Sequence, residues 1–160
     1  MTIRPIQQTD NLQIAAIIRS VLIEFKVPQV GTAFADPQLD CLFETYDKPN
    51  AMYFVIENDF KITGGAGIMQ LENESQKICE LQKMYFLPET RNLGVGLKTI
   101  EKCLQKAIEF GFEKCYLETM PNMFAAQKLY QKVGFEFLQN PMGNTGHTNC
   151  PVWMIKNLTE

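Results

Sequence analysis

A chain of 160 residues that is 46% hydrophobic and 21% charged has the make-up of an ordinary globular protein, which excludes a disordered tail, a collagen-like chain and a membrane protein. The length predicts one domain over residues 1–160, large enough to bury about two-thirds of its extended-chain surface without staples. Fifteen Lys and Arg against eighteen Asp and Glu leave a net charge of −3 with no basic cluster, so no nucleic-acid partner is expected.

The five cysteines (Cys41, Cys79, Cys103, Cys115, Cys150) are dispersed without a CxxC pair, so neither a metal site nor a redox motif is expected. They read as reduced core residues, a cytosolic habit, and a cytoplasmic location is expected. The first residues, MTIRPIQQTDNLQ, lack the apolar segment of a signal peptide. The longest apolar run, Met52 to Ile56 with Ala51 before it, is far too short to span a membrane.

Residues 2–7 form the first strand candidate. Asp10 is placed to cap a helix whose apolar positions Ile14, Ile17, Ile18, Val21, Leu22 and Phe25 keep helical spacing, with Pro28 just past its end. Asp36-Pro37 is a second cap followed by proline at the first helical position. Leu39, Leu42, Phe43 and Tyr46 then line one face until Pro49. Residues 51–57 and 60–71 read as two strands joined by the Asn58-Asp59 turn. Gly64, Gly65 and Gly67 in the second of them point to a bulge or a close backbone approach. After a polar turn, residues 78–86 form a further strand, and 88–96 a loop. Leu97, Ile100, Leu104, Ala107 and Ile108 mark an amphipathic helix that stops at Gly111. Residues 113–119 form a strand, Ala126, Leu129, Tyr130 and Val133 a helix closed by Gly134, and 135–139 and 151–158 the last strands. A polar loop, 140–149, separates those two. The order β-α-α-β-β-β-α-β-α-β-β predicts an α/β (α+β) protein with a mixed sheet and helices on both faces.

The loop Leu87-Pro88-Glu89-Thr90-Arg91-Asn92-Leu93-Gly94-Val95-Gly96-Leu97-Lys98 joins a strand to a helix N-terminus. Backbone N–H groups without intrahelical partners gather there, together with the positive end of the helix dipole. Gly94 and Gly96 allow close approach of a bulky anion, and Arg91 brings a donor fork, so the loop suits a phosphate or pyrophosphate. Neither a GxGxxG fingerprint nor a GxxxxGK[ST] loop fits the spacing.

Arg91-Asn92-Leu93-Gly94-Val95-Gly96 matches the R/Q-x-x-G-x-G/A loop of the GNAT family of N-acetyltransferases. The preceding run, Glu80 to Pro88, resembles that family's fourth strand, and Leu129-Tyr130-Gln131-Lys132-Val133-Gly134-Phe135 resembles its L-Y-x-K-x-G-F run. Two positions depart from the pattern. Asn92 stands where glycine is common, and Met123 stands seven residues before Tyr130, where asparagine is common. Asn122 lies one residue early, while Ala126 keeps its place.

The resemblance implies an acyl-CoA N-acyltransferase fold with a mostly antiparallel central sheet. It also implies transfer of acetyl from acetyl-CoA, the cosubstrate, to a primary amine by direct attack in a ternary complex. The backbone from Arg91 to Gly96 (Arg91, Asn92, Leu93, Gly94, Val95, Gly96) would hold the pyrophosphate. Met84 and Phe86 would pair with the pantetheine as an added strand, Met84 or Tyr85 would offer an N–H to the thioester oxygen, and Asn122 and Ala126 would flank the cofactor. Glu80 is the expected general base, with Glu118 as the alternative, and Tyr130 the expected acid for the departing thiolate. Met120, Met123 and Phe124 form a stripe suited to the pantetheine slot or the core. His147, alone in a Gly-flanked loop, reads as a solvent-exposed residue, with a substrate contact as its functional alternative. The acceptor would be a small-molecule or peptide amine, and a homodimer is compatible with the edge strands. A non-catalytic acyl-CoA sensor or partner module of the same fold is the competing expectation.

Overall fold

The computed structural model describes residues 1–159. Seven strands, β1 (Thr2–Pro5), β2 (Met52–Asn58), β3 (Lys61–Gln70), β4 (Ile78–Phe86), β5 (Lys114–Thr119), β6 (Glu136–Leu138) and β7 (Val152–Asn157), form one sheet in the order β1-β2-β3-β4-β5-β7-β6. Every neighbouring pair is antiparallel except β4 and β5. That pair is connected through α3 (Val95–Glu109), the crossover that a parallel connection requires.

Helix α1 (Asn11–Glu24) turns Ile14, Ile17, Ile18, Val21 and Leu22 onto one face of the sheet, where they meet Leu39, Leu42, Tyr46, Tyr53 and Val55. On the other face α3 buries Ile100, Cys103, Leu104 and Ala107 against Phe54, Ala66, Ile68 and Leu81, and α4 (Phe124–Lys132) adds Tyr130 there. Leu71, Ile78 and Tyr116, packed with Trp153, make a smaller third cluster. Cys79, Cys103 and Cys115 are buried as expected, but Cys41 is exposed and Cys150 only half-buried.

Three local expectations differ from the structure. The helix expected from Asp36 to Pro49 is a 3-10 turn (Pro37–Cys41) followed by the short α2 (Leu42–Tyr46), because Cys41 leaves helical geometry at φ −136 and ψ 49. Asp10 does not cap α1; its carboxylate accepts from the Gln7 N–H and from the Arg4 guanidinium, a stronger, charge-assisted set of partners. The loop expected through Gly96 ends earlier, since α3 starts at Val95.

The three glycines of β3 meet aromatic rings. A Cβ at Gly65 would stand 2.5 Å from the Tyr53 ring, and one at Gly67 would stand 2.6 Å from Tyr53 and 2.7 Å from Tyr46. Opposite them β4 carries a bulge: Gly65 faces Tyr85 and Gly67 faces Gln82, so Lys83 and Met84 together oppose Ala66. Lys83 takes a positive φ of 51° there, and its carbonyl accepts the Tyr53 hydroxyl. The extra residue bends β4. Its pairing with β5 covers only Ile78–Glu80, opposite Lys114–Tyr116. Past Glu80 the two strands continue without pairing, to Phe86 and Thr119.

Candidate active site

The unpaired ends of β4 and β5 frame a recess lined by Glu80, Met84, Tyr85, Glu118, Met120, Met123, Ala126, Tyr130 and His147, among others. Two parallel strands that part company offer two rows of free backbone groups, which suits an extended amide-bearing chain laid between them. Met84, Tyr85 and Ala126 line this recess. Phe124 does not: it is 68% exposed.

Beyond the end of β4, the loop before α3 leaves a run of backbone amides open. A 3-10 turn (Pro88–Thr90) leads to Arg91; Asn92 and Gly94 take positive φ values of 61° and 75°. Asparagine is the best non-glycine substitute for such a conformation, and Asn92 is exposed, so its departure from glycine is accommodated. The first backbone bond into α3 runs from the Lys98 N–H to the Gly94 carbonyl, and no side chain caps the helix. The N–H groups of Asn92, Leu93, Gly94, Val95 and Gly96 thus have no backbone partner among the described residues. A Cβ at Gly94 would meet nothing within 4 Å, which leaves the approach open. Gly96 serves packing instead, since its Cβ would stand 3.1 Å from Leu129 of α4.

Arg91 behaves differently from the expectation. Its fork grips both Glu24 carboxylate oxygens at 2.6 and 2.7 Å, its Nε donates to the Phe86 carbonyl, and its guanidinium lies over the Phe25 ring. Its N–H donates to the Pro88 carbonyl. Arg91 thus ties the loop to the carboxylate at the end of α1. Asn122 is also turned to α1, donating to the Phe25 carbonyl at 2.8 Å.

At the inner end of the recess lies a group of ionisable residues. Glu80, the last residue of β4 paired with β5, is buried, and its Oε2 accepts from Gln82 Nε2. Gln82 in turn accepts the Tyr46 hydroxyl at 2.6 Å. Burial pushes the Glu80 carboxyl up to about 7, and the Glu118 charge adds to the rise; Gln82, His147 and Lys83 oppose it. Glu118 accepts from the Tyr116 hydroxyl at 2.7 Å and from Thr145 Oγ1 at 2.8 Å. His147 is not the exposed loop residue expected: its side chain is 14% exposed, with Nε2 at 3.2 Å from both Asp36 oxygens and Nδ1 at 3.8 Å from Glu118. Burial alone would lower the His147 pKa, but the Asp36 carboxylate outweighs it and the net shift is upward. Asp36 also binds Lys83 Nζ at 2.7 Å. Burial would raise Asp36, yet these two cations hold it at about 2. The Asp36 side chain makes no cap bond to the turn it precedes, because Lys83 and His147 hold its carboxylate.

Tyr130, on α4, is buried against Phe135 and lines the same recess. Burial raises its pKa well above the usual phenol range, so it stays a neutral O–H donor. In the sequence Asp36 reads as a helix cap, and neither Lys83 nor Gln82 belongs to a site motif. The one available signal was Lys83, a cation within a strand that the alternation would otherwise bury.

The GNAT acetyltransferase family profile matches residues 18–135. An Escherichia coli (strain K12) protein described as uncharacterized N-acetyltransferase YjgM is 41% identical over 150 residues, 93% of this chain and 90% of that one. Among solved structures, a GNAT-family acetyltransferase from Staphylococcus aureus Mu50 superposes with a TM-score of 0.87 at 22% identity, covering 99% of both chains. The Salmonella typhimurium putative acetyltransferase yncA, solved with acetyl-CoA, gives 0.77 at 19% identity over 100% of this chain and 95% of that one. Among the described residues no helix is long and apolar enough to cross a membrane. With the family profile over most of its length and a 41% identical N-acetyltransferase relative, this chain belongs to the GNAT family of acetyltransferases, whose cosubstrate is acetyl-CoA.

Proposed function

We propose that the protein acetylates a primary amine by direct attack in a ternary complex, with Glu80 as general base and Tyr130 as general acid. Acetyl-CoA, when bound, supplies the acetyl thioester. The open amides of Asn92 to Gly96 hold its pyrophosphate, and the β4 edge that β5 leaves unpaired, at Met84 and at Phe86, whose carbonyl also accepts from Arg91 Nε, takes the pantetheine amides. A backbone N–H at Met84 or Tyr85 meets the thioester oxygen as negative charge grows on it. Glu80 takes the proton from the attacking nitrogen, directly or through one water. The C–N bond forms, the C–S bond breaks, and Tyr130 delivers a proton to the departing sulfur. The thiol has an ordinary pKa of about 8.5, so this assistance is modest at neutral pH.

The observation that carries this reading is that Glu80 and Tyr130, 50 residues apart in sequence (130 − 80), line one recess that opens where β4 and β5 separate. A carboxyl held near 7 is poised to accept a proton at working pH. Two measurements test it. Acetyl-CoA at about 100 times its Kd should stabilise the protein by about 2.7 kcal/mol, read as a rise in Tm that NAD and ATP do not produce. Tyr130→Phe should lower kcat by about tenfold to a hundredfold with the acetyl-CoA KM unchanged. An unshifted Tm, in protein free of co-purified CoA, removes the cofactor assignment. An unchanged kcat removes the role of Tyr130.

A further inference from the structure

Resting on the acetyl-transfer reading above, we propose that the acceptor is a primary amine with no carboxylate or phosphate beside its amino group, and that Glu80, Glu118 and His147 together seat it as an ammonium ion before transfer. The three residues offer ligand atoms that lie within 4.8 Å of one another. A tetrahedral ammonium that sends one N–H to each of three acceptors at about 2.8 Å holds those acceptors about 4.6 Å apart. A zinc ion, bound at about 2.0–2.2 Å, would hold them about 3.4 Å apart. His147 Nδ1 and Glu118 Oε2 stand 3.8 Å apart, between those two values, so that side widens by about 0.8 Å to seat the ammonium.

The acceptor atoms are also free and braced. Among the described residues neither Glu80 Oε1 nor His147 Nδ1 has a hydrogen-bond partner. Glu80 is held through its other oxygen by Gln82, Glu118 by Tyr116 and Thr145, and His147 by Asp36. In the neutral ring the proton faces Asp36, which leaves the Nδ1 lone pair for a donor, and an arriving cation favours that neutral form. Acceptors already fixed by neighbours lose little freedom when a donor arrives.

The same arrangement excludes an anionic neighbour. Lys83, the one permanent cation lining the recess, points at Asp36, as does the His147 ring. The nearest arginine of the cofactor loop is held by Glu24. A carboxylate beside the reacting amine would therefore enter among Asp36, Glu80 and Glu118 with no unpaired cation to meet it. Like charges so placed cost several kcal/mol.

The test is thiol release at saturating acetyl-CoA, pH 8, from matched pairs that differ by one carboxylate: phenylalanine and phenethylamine, leucine and isoamylamine, histidine and histamine. The expected result is a kcat/KM at least about a hundredfold higher for the amine of the preferred pair. Glu118→Gln and His147→Ala should each raise that amine's KM by about tenfold or more while leaving the acetyl-CoA KM and its effect on Tm unchanged. Amino acids that react as well as their amines overturn the proposal, as does an unchanged amine KM in both variants. Turnover abolished by EDTA and restored by zinc gives the triangle to a metal and overturns it too. Release from none of the amines overturns it as well; if acetyl-CoA also fails to raise Tm, the acetyl-transfer reading falls with it.

Discussion

Replacing Glu80 by glutamine separates stability from chemistry. The Glu80 carboxyl titrates near 7 in the folded protein and near 4.5 when solvated. Because the folded value is raised, the native state binds the proton more tightly than the unfolded chain. That contribution to stability is complete below about pH 4.5, falls as pH rises, and is gone above about 7. At 1.36 kcal/mol for each pH unit between those values, the loss is on the order of 3 kcal/mol. Glutamine keeps the shape and the acceptor oxygen that Gln82 Nε2 uses, but has no proton to lose. Urea unfolding from pH 4 to pH 9 should show the wild-type protein weakening by about 3 kcal/mol relative to Glu80→Gln, with the variant the more stable above pH 7. The rate profile should change in parallel: the wild-type limb with an inflection near 7 disappears in the variant, and turnover falls by about a hundredfold to ten-thousandfold. Two stability curves that run parallel from pH 4 to 9 would refute the burial argument. An unchanged rate profile would refute the base assignment even if the stability curves diverge.

Two structural variants follow from the same reasoning. Asp36→Asn strands Lys83 Nζ, whose side chain is only 6% exposed, and should destabilise by about 3–5 kcal/mol in urea unfolding, with partial recovery in Asp36→Asn/Lys83→Met. A loss below about 1 kcal/mol would mean the pair is solvated. Gly67→Ala drives a methyl into the Tyr46 and Tyr53 rings and should lower stability by about 1–3 kcal/mol, measured by thermal unfolding. A neutral outcome there would show that the Tyr46–Tyr53 pair shifts freely.

The features read directly from the sequence are those that need only neighbours along the chain. Apolar residues at helical spacing place the buried stripes of α1 and α3. The loop from Arg91 to Gly96 takes its shape from Gly94, from the left-handed Asn92, and from the start of α3 just beyond them, all within six residues. Tyr130 and Glu80, the proposed acid and base, stand out in the sequence because each sits in a short run with its own pattern.

The inner site depends on distance in space. His147 and Asp36 are 111 residues apart, and neither belongs to a repeating pattern, so nothing local announces their contact. Asp36 looked like a helix cap because Pro37 follows it; only the packed fold brings Lys83 and His147 close enough to claim its carboxylate. Arg91 had the right side chain for a phosphate, yet the end of α1 delivers Glu24 to it first. Local sequence determined the strands, α1, α3, α4 and the glycine-bearing loop before α3, because backbone propensity and side-chain periodicity act over one or two turns. Tertiary structure alone decided which charges meet in the buried recess and so how Glu80 titrates, because burial and ion pairing are set by what the other elements bring against a residue.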